Sequence, residues 1–350
     1  MIDVAIVGAS GYGGGELMRL LSGHPEVNLK ALVSDTYAGQ PPSAAFAGLR
    51  SSKLAVLRFQ SSQDNDAPSK CDVVFLAQDN GKAMHSVPAL LAAGCKVIDL
   101  SADFRFRDSA IYPVWYGFKH AQPALCETAV YGLPELNEEK IRSANLVGNP
   151  GCYPTASILA LAPLVSAGLI DLDSIIVDAK SGVSGAGRSK FGLDYHYPEA
   201  NESVSAYKVG GTHRHVPEIE QALDVLSGAE TRISFTPHLV PMSRGILATC
   251  YARLADSTTS AASIRERYNF FYTHAPFVSI LEKGTPSTKH TLGSNQCHIG
   301  FEIDKRTGRI VVVSAIDNLV KGMAGQAIQN MNLISGFDQT LGLDLCGIWP

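Results

Sequence analysis

The sequence predicts an α/β fold in two domains, and three observations carry that expectation. A short apolar strand, Ile2 to Val7, runs into a glycine turn and then an amphipathic stretch ending at Leu21. Apolar runs at Leu29 to Val33, Val73 to Ala77 and Lys96 to Leu100 follow, with helix-like segments such as Ser86 to Ala93 between some of them. Strand and helix in alternation imply a parallel sheet with right-handed crossovers. Past Gly148 the texture changes to longer, partly alternating strands at Leu172 to Ala179, Arg232 to His238, Gly245 to Arg253, His298 to Ile303 and Arg309 to Ala315. That is the pattern of a mixed or antiparallel sheet with helices on one side.

Helices are expected at Thr155 to Ala167, Pro217 to Leu226 and Ser260 to Tyr272. The segment Asp317 to Ile334 has small and apolar residues at helical spacing (Leu319, Met323, Ala324, Ala327, Ile328, Met331) and is expected to return to the first domain. The domain expectation is therefore residues 1–150 completed by 317–350, with 151–316 as the second domain. The chain shows no internal repeat or low-complexity tract.

At 350 residues and 45% hydrophobic, the chain can bury two cores, which excludes a disordered or fibrous reading. A net charge of -4 without a basic run provides no general attraction to polyphosphate, so no nucleic-acid partner is expected. Seven cysteines, an odd number with no Cys-x-x-Cys pair, fit reduced thiols in the cytoplasm better than a disulfide framework or a zinc site. Met1 to Gly8 reads as a buried strand rather than a signal peptide, and no apolar run has the length of a membrane span.

Cys152 is the most informative residue. It stands in Asn149-Pro-Gly-Cys-Tyr-Pro154, where a Gly/Pro loop hands over to a run of good helix formers. Pro154 suits a first helical position. A thiol there faces unpaired N–H groups and the positive end of the helix dipole, and both favour thiolate. An ordinary thiol is only about 3% ionised at pH 7, so the placement matters. The alternative is a buried cysteine that merely packs.

Gly8-x-x-Gly11-x-x-Gly14 lies between a strand and a helix, where glycines allow a tight turn and a close approach of pyrophosphate to the helix N-terminus. This is the Rossmann-like dinucleotide pattern; a turn without ligand is the alternative. Ser34 at the end of the second strand tolerates a 2′-phosphate, while Asp35 one residue later leaves NAD open, so the pattern favours NADP. Gly14-Gly15 holds more glycine than the motif requires and is expected to loosen the turn. In Thr212-His213-Arg-His215-Val-Pro217-Glu218 either imidazole can shuttle a proton, with helix capping as the alternative and no further ligands for zinc. The loop Ser181-Gly-Val-Ser184-Gly185-Ala-Gly-Arg188 offers N–H groups and hydroxyls to an anion or carboxamide, and Arg188 can fork onto a carboxylate, against the alternative of a flexible connection. Arg105 follows the fourth apolar strand and is a candidate phosphate clamp, or else a surface ion pair with Asp103 or Asp108.

These motifs, with Tyr131-Gly-Leu-Pro-Glu135, Thr236-Pro-His-Leu239, Arg244-Gly-Ile246 and Asp317-Asn-Leu-Val-Lys-Gly-Met-Ala-Gly-Gln-Ala327, run in order along almost the whole chain. Together they resemble the N-acetyl-gamma-glutamyl-phosphate reductase family of arginine biosynthesis, related to aspartate-semialdehyde dehydrogenase. The resemblance implies a Rossmann-like dinucleotide-binding domain plus an α+β catalytic domain with a mixed sheet, glyceraldehyde-3-phosphate dehydrogenase-like, assembled as a homodimer or homotetramer. It implies Cys152 as nucleophile and the His213/His215 pair as holder of the acid–base, with His215 preferred. Cofactor contacts are expected at Gly8, Ser10, Gly11, Tyr12, Gly13, Gly14, Ser34, Ser184, Gly185 and Asn318. Substrate contacts are expected at Arg105, Asn149, Ser181 and Arg188, and no metal is expected. The expected reaction is NADPH-dependent reduction of an acyl phosphate through a cysteine thioester, releasing inorganic phosphate. The alternatives are the homologous aminoadipyl-phosphate reductase of lysine biosynthesis, a dehydrogenase in which Cys152 only packs, and a non-enzymatic NADP-binding sensor.

Overall fold

A computed structural model describes residues 1–63, 66–189 and 192–349. They form two compact units. The first comprises Met1–Pro150, Gly187–Ser189 and Met323–Asp344; the second takes the described residues within Gly151–Ala186, Lys190–Gly322 and Leu345–Pro350.

Among the described residues, the first unit holds seven strands: β1 (Ile2–Val7), β2 (Val27–Val33), β3 (Phe59–Gln60), β4 (Val73–Leu76), β5 (Lys96–Asp99), β6 (Val130–Tyr131) and β7 (Leu146–Gly148). They pair in the order β3-β2-β1-β4-β5-β7-β6, parallel throughout. The chain winds outward from β1 to β3 and then crosses back to β4. The order therefore reverses between β1 and β4, where ligands gather at the carboxyl ends of such sheets. The helix Gly325–Ile334 is buried along its whole length, and two of its asparagines find partners in the same unit, whereas the Gln326 amide has none among the described residues. Asn330 donates to the Gly132 carbonyl at 2.9 Å, and Asn332 Oδ1 lies 2.9 Å from His24 Nε2.

The described part of the second unit also holds seven strands: β8 (Ile176–Gly182), β9 (Ser205–Ala206), β10 (Ser234–Val240), β11 (Ile246–Arg253), β12 (Val278–Ile280), β13 (Cys297–Asp304) and β14 (Arg309–Ile316). Their order is β12-β13-β14-β11-β8-β10-β9, with β8/β10 and β12/β13 parallel and the other pairs antiparallel. The sheet is mixed.

Against β11 and β14 lies the helix Cys152–Ser166, flanked by the helices Val216–Ser227 and Ala261–Phe271. This central helix is buried on nearly every side, and Pro163 stands inside it. A proline there has no N–H to give the carbonyl four residues back. Tyr272 fills the gap, its hydroxyl donating to the Leu159 carbonyl at 2.6 Å.

The segment after β14 does not return to the first unit as early as the sequence suggests. Asp317 and Asn318 stay with the second unit: Asp317 accepts the N–H groups of Leu319, Val320 and Gly293, and Asn318 accepts that of Gly245. A π-type turn at Val320–Ala324 follows, in which the Gly322 N–H reaches back to the Asp317 carbonyl at 2.9 Å. No described helix is long and apolar enough to cross a membrane.

Candidate active site

In the second unit, Cys152 is the first residue of its helix, after Gly151 as N-cap. The helix thus begins earlier than expected, and Pro154 takes the third position, where the missing N–H costs nothing. Gly151, as N-cap, has no side chain to cap this end. Cys152 is half-buried. Its Cβ packs on Gly322, where an added Cβ would lie only 2.8 Å away.

The two histidines separate by environment. His213 is buried in an aromatic cluster, edge-on to Tyr153, Tyr207 and Phe235 at ring distances of 5.8, 5.6 and 5.2 Å. Its Nδ1 accepts the His215 backbone N–H at 3.1 Å. Burial, reinforced by the charges of Arg214 and Lys208, pushes its pKa down to about 4. His215 is half-buried at the N-cap of the helix Val216–Ser227, its ring 4.7 Å from that of His213 and 6.0 Å from that of Tyr153.

Three residues join the site that its sequence motifs did not single out. Glu218, fully buried, accepts the Gly151 N–H at 2.7 Å. The Tyr207 hydroxyl donates to that of Tyr153 at 3.2 Å, and Tyr153 donates to the His238 carbonyl at 3.2 Å. Burial pushes the Tyr207 phenol up to about 12 and Tyr153 higher, with the Cys152 charge contributing to both, so both stay protonated. Glu218 lies inside the histidine motif, three residues after His215, and Tyr153 adjoins Cys152; only the Tyr207 contact has no local signal.

The loop after β8 is held by its neighbours. Asn318 donates to the Ser184 hydroxyl at 3.0 Å while accepting the Gly245 N–H at 2.7 Å. Ser181 is buried, donates to the Gly182 carbonyl at 3.0 Å, and lies near the space a Cβ on Gly185 would enter. Ser181, Ser184, Gly185 and Asn318 therefore form one cluster.

In the first unit, Gly8 has φ +84° and a Cβ there would strike the Ala77 carbonyl at 2.2 Å; at Gly14 it would strike Ala9 at 2.6 Å. The extra glycines do not loosen the turn. Gly15 lies under the Phe46 ring, where an added methyl would come within 3 Å, so it is needed for packing, while at Gly13 such a methyl would meet the flexible end of Met323. At Gly11 the nearest atom to such a methyl is 3.6 Å away. That is ordinary contact with the Gly8 carbonyl and no clash, beside the start of the helix Tyr12–Leu21, which no side chain caps. A glycine turn next to first-turn N–H groups is a cradle of the kind a pyrophosphate requires, and the donor set fits a dinucleotide.

Ser34, at the end of β2, donates to the Ser10 hydroxyl at 2.7 Å. Asp35 is turned to other work, accepting from the Ser62 N–H and from the hydroxyls of Ser61 and Ser62, which hold its carboxyl below the usual range. Arg188, expected at the substrate, lies instead against the glycine turn: it donates to the Ser10 carbonyl at 2.9 Å and to Tyr37 Oη at 3.3 Å.

Arg105 is nearly buried, with Nε on the Asn149 carbonyl at 2.8 Å and Nη2 on the Leu100 carbonyl at 3.1 Å, a cation fixed beyond the ends of β5 and β7. Asn149 is buried and serves the fold, donating to the Met323 carbonyl and accepting from Asn330. Among the described residues, no group of three or more His, Cys, Asp or Glu is placed to hold a metal ion.

A parallel dinucleotide sheet joined in one chain to a mixed sheet bearing a helix-start cysteine and two histidines is the plan of the semialdehyde dehydrogenases. Residues 3–144 match the family model "Semialdehyde dehydrogenase, NAD binding domain", and residues 152–318 match "Semialdehyde dehydrogenase, dimerisation domain". The aspartate-semialdehyde dehydrogenase II of Vibrio cholerae shares the fold, with TM-score 0.74 at 17% identity over 96% of this chain and 98% of that one. The Candida albicans aspartate-semialdehyde dehydrogenase, solved with NADP, has TM-score 0.70 at 16% identity over 96% and 98%. The proteins named N-acetyl-gamma-glutamyl-phosphate reductase from Geobacter metallireducens and Symbiobacterium thermophilum are both 52% identical, over 100% of both chains in the first case and over 98% and 97% in the second. The chain belongs to the N-acetyl-gamma-glutamyl-phosphate reductase family, as its motifs suggest, and is a nicotinamide-dependent oxidoreductase.

Proposed function

We propose that the chain reduces N-acetyl-L-glutamyl 5-phosphate to N-acetyl-L-glutamate 5-semialdehyde with NADPH, releasing inorganic phosphate. The observation that carries this reading is Cys152 at the first position of a buried helix, where the dipole and first-turn amides favour the thiolate. The thiolate attacks the acyl carbonyl and expels phosphate, leaving a thioester on Cys152. When bound, NADPH supplies the hydride for reduction. In the first turn, Pro154 has no N–H and that of Thr155 is spent on the Gly151 carbonyl. The backbone at Cys152 and Tyr153 is then where the carbonyl oxygen's charge is met.

His215 is the acid–base catalyst. An imidazole with a pKa near 4 is uncharged at neutral pH, so His213 is a neutral group that fixes the His215 backbone. Ser181, Ser184, Gly185 and Asn318 serve the nicotinamide end and the reacting carbonyl. Arg105, presented by two carbonyls, takes the phosphate or carboxylate. Ser34 in place of an acidic residue, and Asp35 already committed to Ser61 and Ser62, support NADPH over NADH. The names of the full-length relatives favour neither the lysine-pathway reductase nor a sensor. The dimerisation-domain match supports a homo-oligomer, and seven cysteines, an odd number with no Cys-x-x-Cys pair, support a reducing, cytoplasmic setting.

The test is to add the acyl phosphate to the protein without NADPH and weigh it. A mass gain of one acetylglutamyl group on Cys152, absent in Cys152→Ala, is expected. An unmodified wild-type protein that still turns over on addition of NADPH sinks the covalent route.

A further inference from the structure

Arg188 has a different setting from the one its sequence suggests. Its guanidinium lies over the Phe46 ring at 4.8 Å and the Tyr37 ring at 5.6 Å, and two of its five N–H groups engage the Ser10 carbonyl and Tyr37 hydroxyl. Stacking on two rings while bonded at two points holds the fork in one orientation, which lowers the ordering cost of a further ligand. The Ser10 and Ser34 hydroxyls touch at the end of β2, where the second strand of a dinucleotide fold meets the adenosine ribose. Two hydroxyls share one hydrogen bond between them, so the pair retains a donor for an anion. Asp35, just past this strand end, is held by Ser61 and Ser62. A guanidinium, a serine pair and a carboxylate already engaged make a site for a phosphate monoester rather than for a ribose diol.

We propose that Arg188 anchors the 2′-phosphate of NADPH, together with Ser10 and Ser34, and so sets the coenzyme preference. The assignment rests on the NADPH reading above. Arg188 is fully charged at any working pH and forks onto phosphate oxygens, so it supplies the charge that the serines lack.

The experiment is a fluorescence titration of the full chain and its Arg188→Gln variant with NADPH, NADH and 2′,5′-ADP. A charge-assisted contact of this kind predicts that the variant binds NADPH and 2′,5′-ADP about tenfold to a hundredfold more weakly, with NADH affinity within about twofold of wild type. Equal weakening of NADPH and NADH overturns the proposal and makes Arg188 a support for the turn. An unchanged NADPH affinity overturns it as well. A wild-type protein with equal affinity for both coenzymes removes the NADPH reading and this proposal together, whereas a wild-type preference that survives in Arg188→Gln removes only the assignment to Arg188. Should Arg188→Gln fail to fold, Arg188→Lys keeps charge but loses the fork; a severalfold loss for NADPH alone is expected, and an undiminished preference overturns the proposal.

Discussion

Glu218 accepts the backbone N–H of Gly151 at 2.7 Å, tying the first turn of the histidine-bearing helix to the residue just before Cys152. One buried hydrogen bond thus fixes the start of the cysteine helix against the loop that carries His213 and His215. The family motif places Glu218 three residues after His215, and the fold gives that spacing a purpose: the helix that begins at His215 turns its third residue toward Gly151.

Replacing Glu218 with Ala leaves the Gly151 N–H buried without that acceptor, at a cost of about 1–3 kcal/mol. Glu218→Ala is expected to lower the urea midpoint and reduce kcat at least tenfold. Glu218→Gln keeps an acceptor oxygen and restores most of both. Equal kcat for Glu218→Ala and wild type, measured with saturating substrate, shows that the tie does not serve Cys152.

Burial raises the pKa of Cys71 to about 11 and of Cys126 and Cys250 to about 12, and pushes Cys95 up as well. Brief iodoacetamide treatment at pH 7 is therefore expected to modify Cys152 first, and an acyl phosphate to protect it. The exposed Cys346 is the internal reference for accessibility. Peptide mass mapping that finds Cys346 modified as fast as Cys152 contradicts the thiolate assignment.

His213 titrates near 4 in the folded chain and near 6.5 when unfolded. The unfolded chain then binds the extra proton between those values, so the folded state loses stability as pH falls from about 6.5 to 4, by about 3 kcal/mol from this group. His213→Asn is expected to flatten that part of the urea midpoint against pH, with activity reduced but present. His215→Asn is expected to leave the stability slope in place and to lower kcat by about a hundredfold or more. A reversed pattern of the two kcat values exchanges the histidines' roles.

Gly322 admits no side chain, because a Cβ there would sit 2.8 Å from Cys152 Cβ and 3.3 Å from Ile316 Cδ1. Gly322→Ala is expected to displace Cys152 by a few tenths of an ångström and to cut kcat about tenfold or more, with NADPH affinity near wild type. Full activity in this variant means that the turn at Val320–Ala324 yields instead.

Much of the fold is legible along the chain. β1 coincides with the expected strand because a parallel central strand is buried on both sides and reads as an unbroken apolar run, and β11, β13 and β14 are long enough for their period to show. The strands β3, β6 and β9 have two residues each and show no period at all. The π-type turn after Asn318 is hidden for a related reason, since its residues have the composition of an ordinary helix and only the Asp317 carboxylate sets the turn apart.

The sequence by itself determined the α/β plan, the cysteine at a helix start, the glycine turn and the family, because each is written in neighbouring residues whose spacing follows the local geometry of strand, turn and helix. Only the tertiary structure decided that burial lowers the pKa of His213, that Arg188 joins Ser10 and Tyr37, that Asn149 serves the fold, and that Glu218 reaches Gly151. Those outcomes depend on desolvation and on contacts between residues 67 to 178 positions apart. Burial and long-range partners are properties of the packed chain, and no local pattern encodes them.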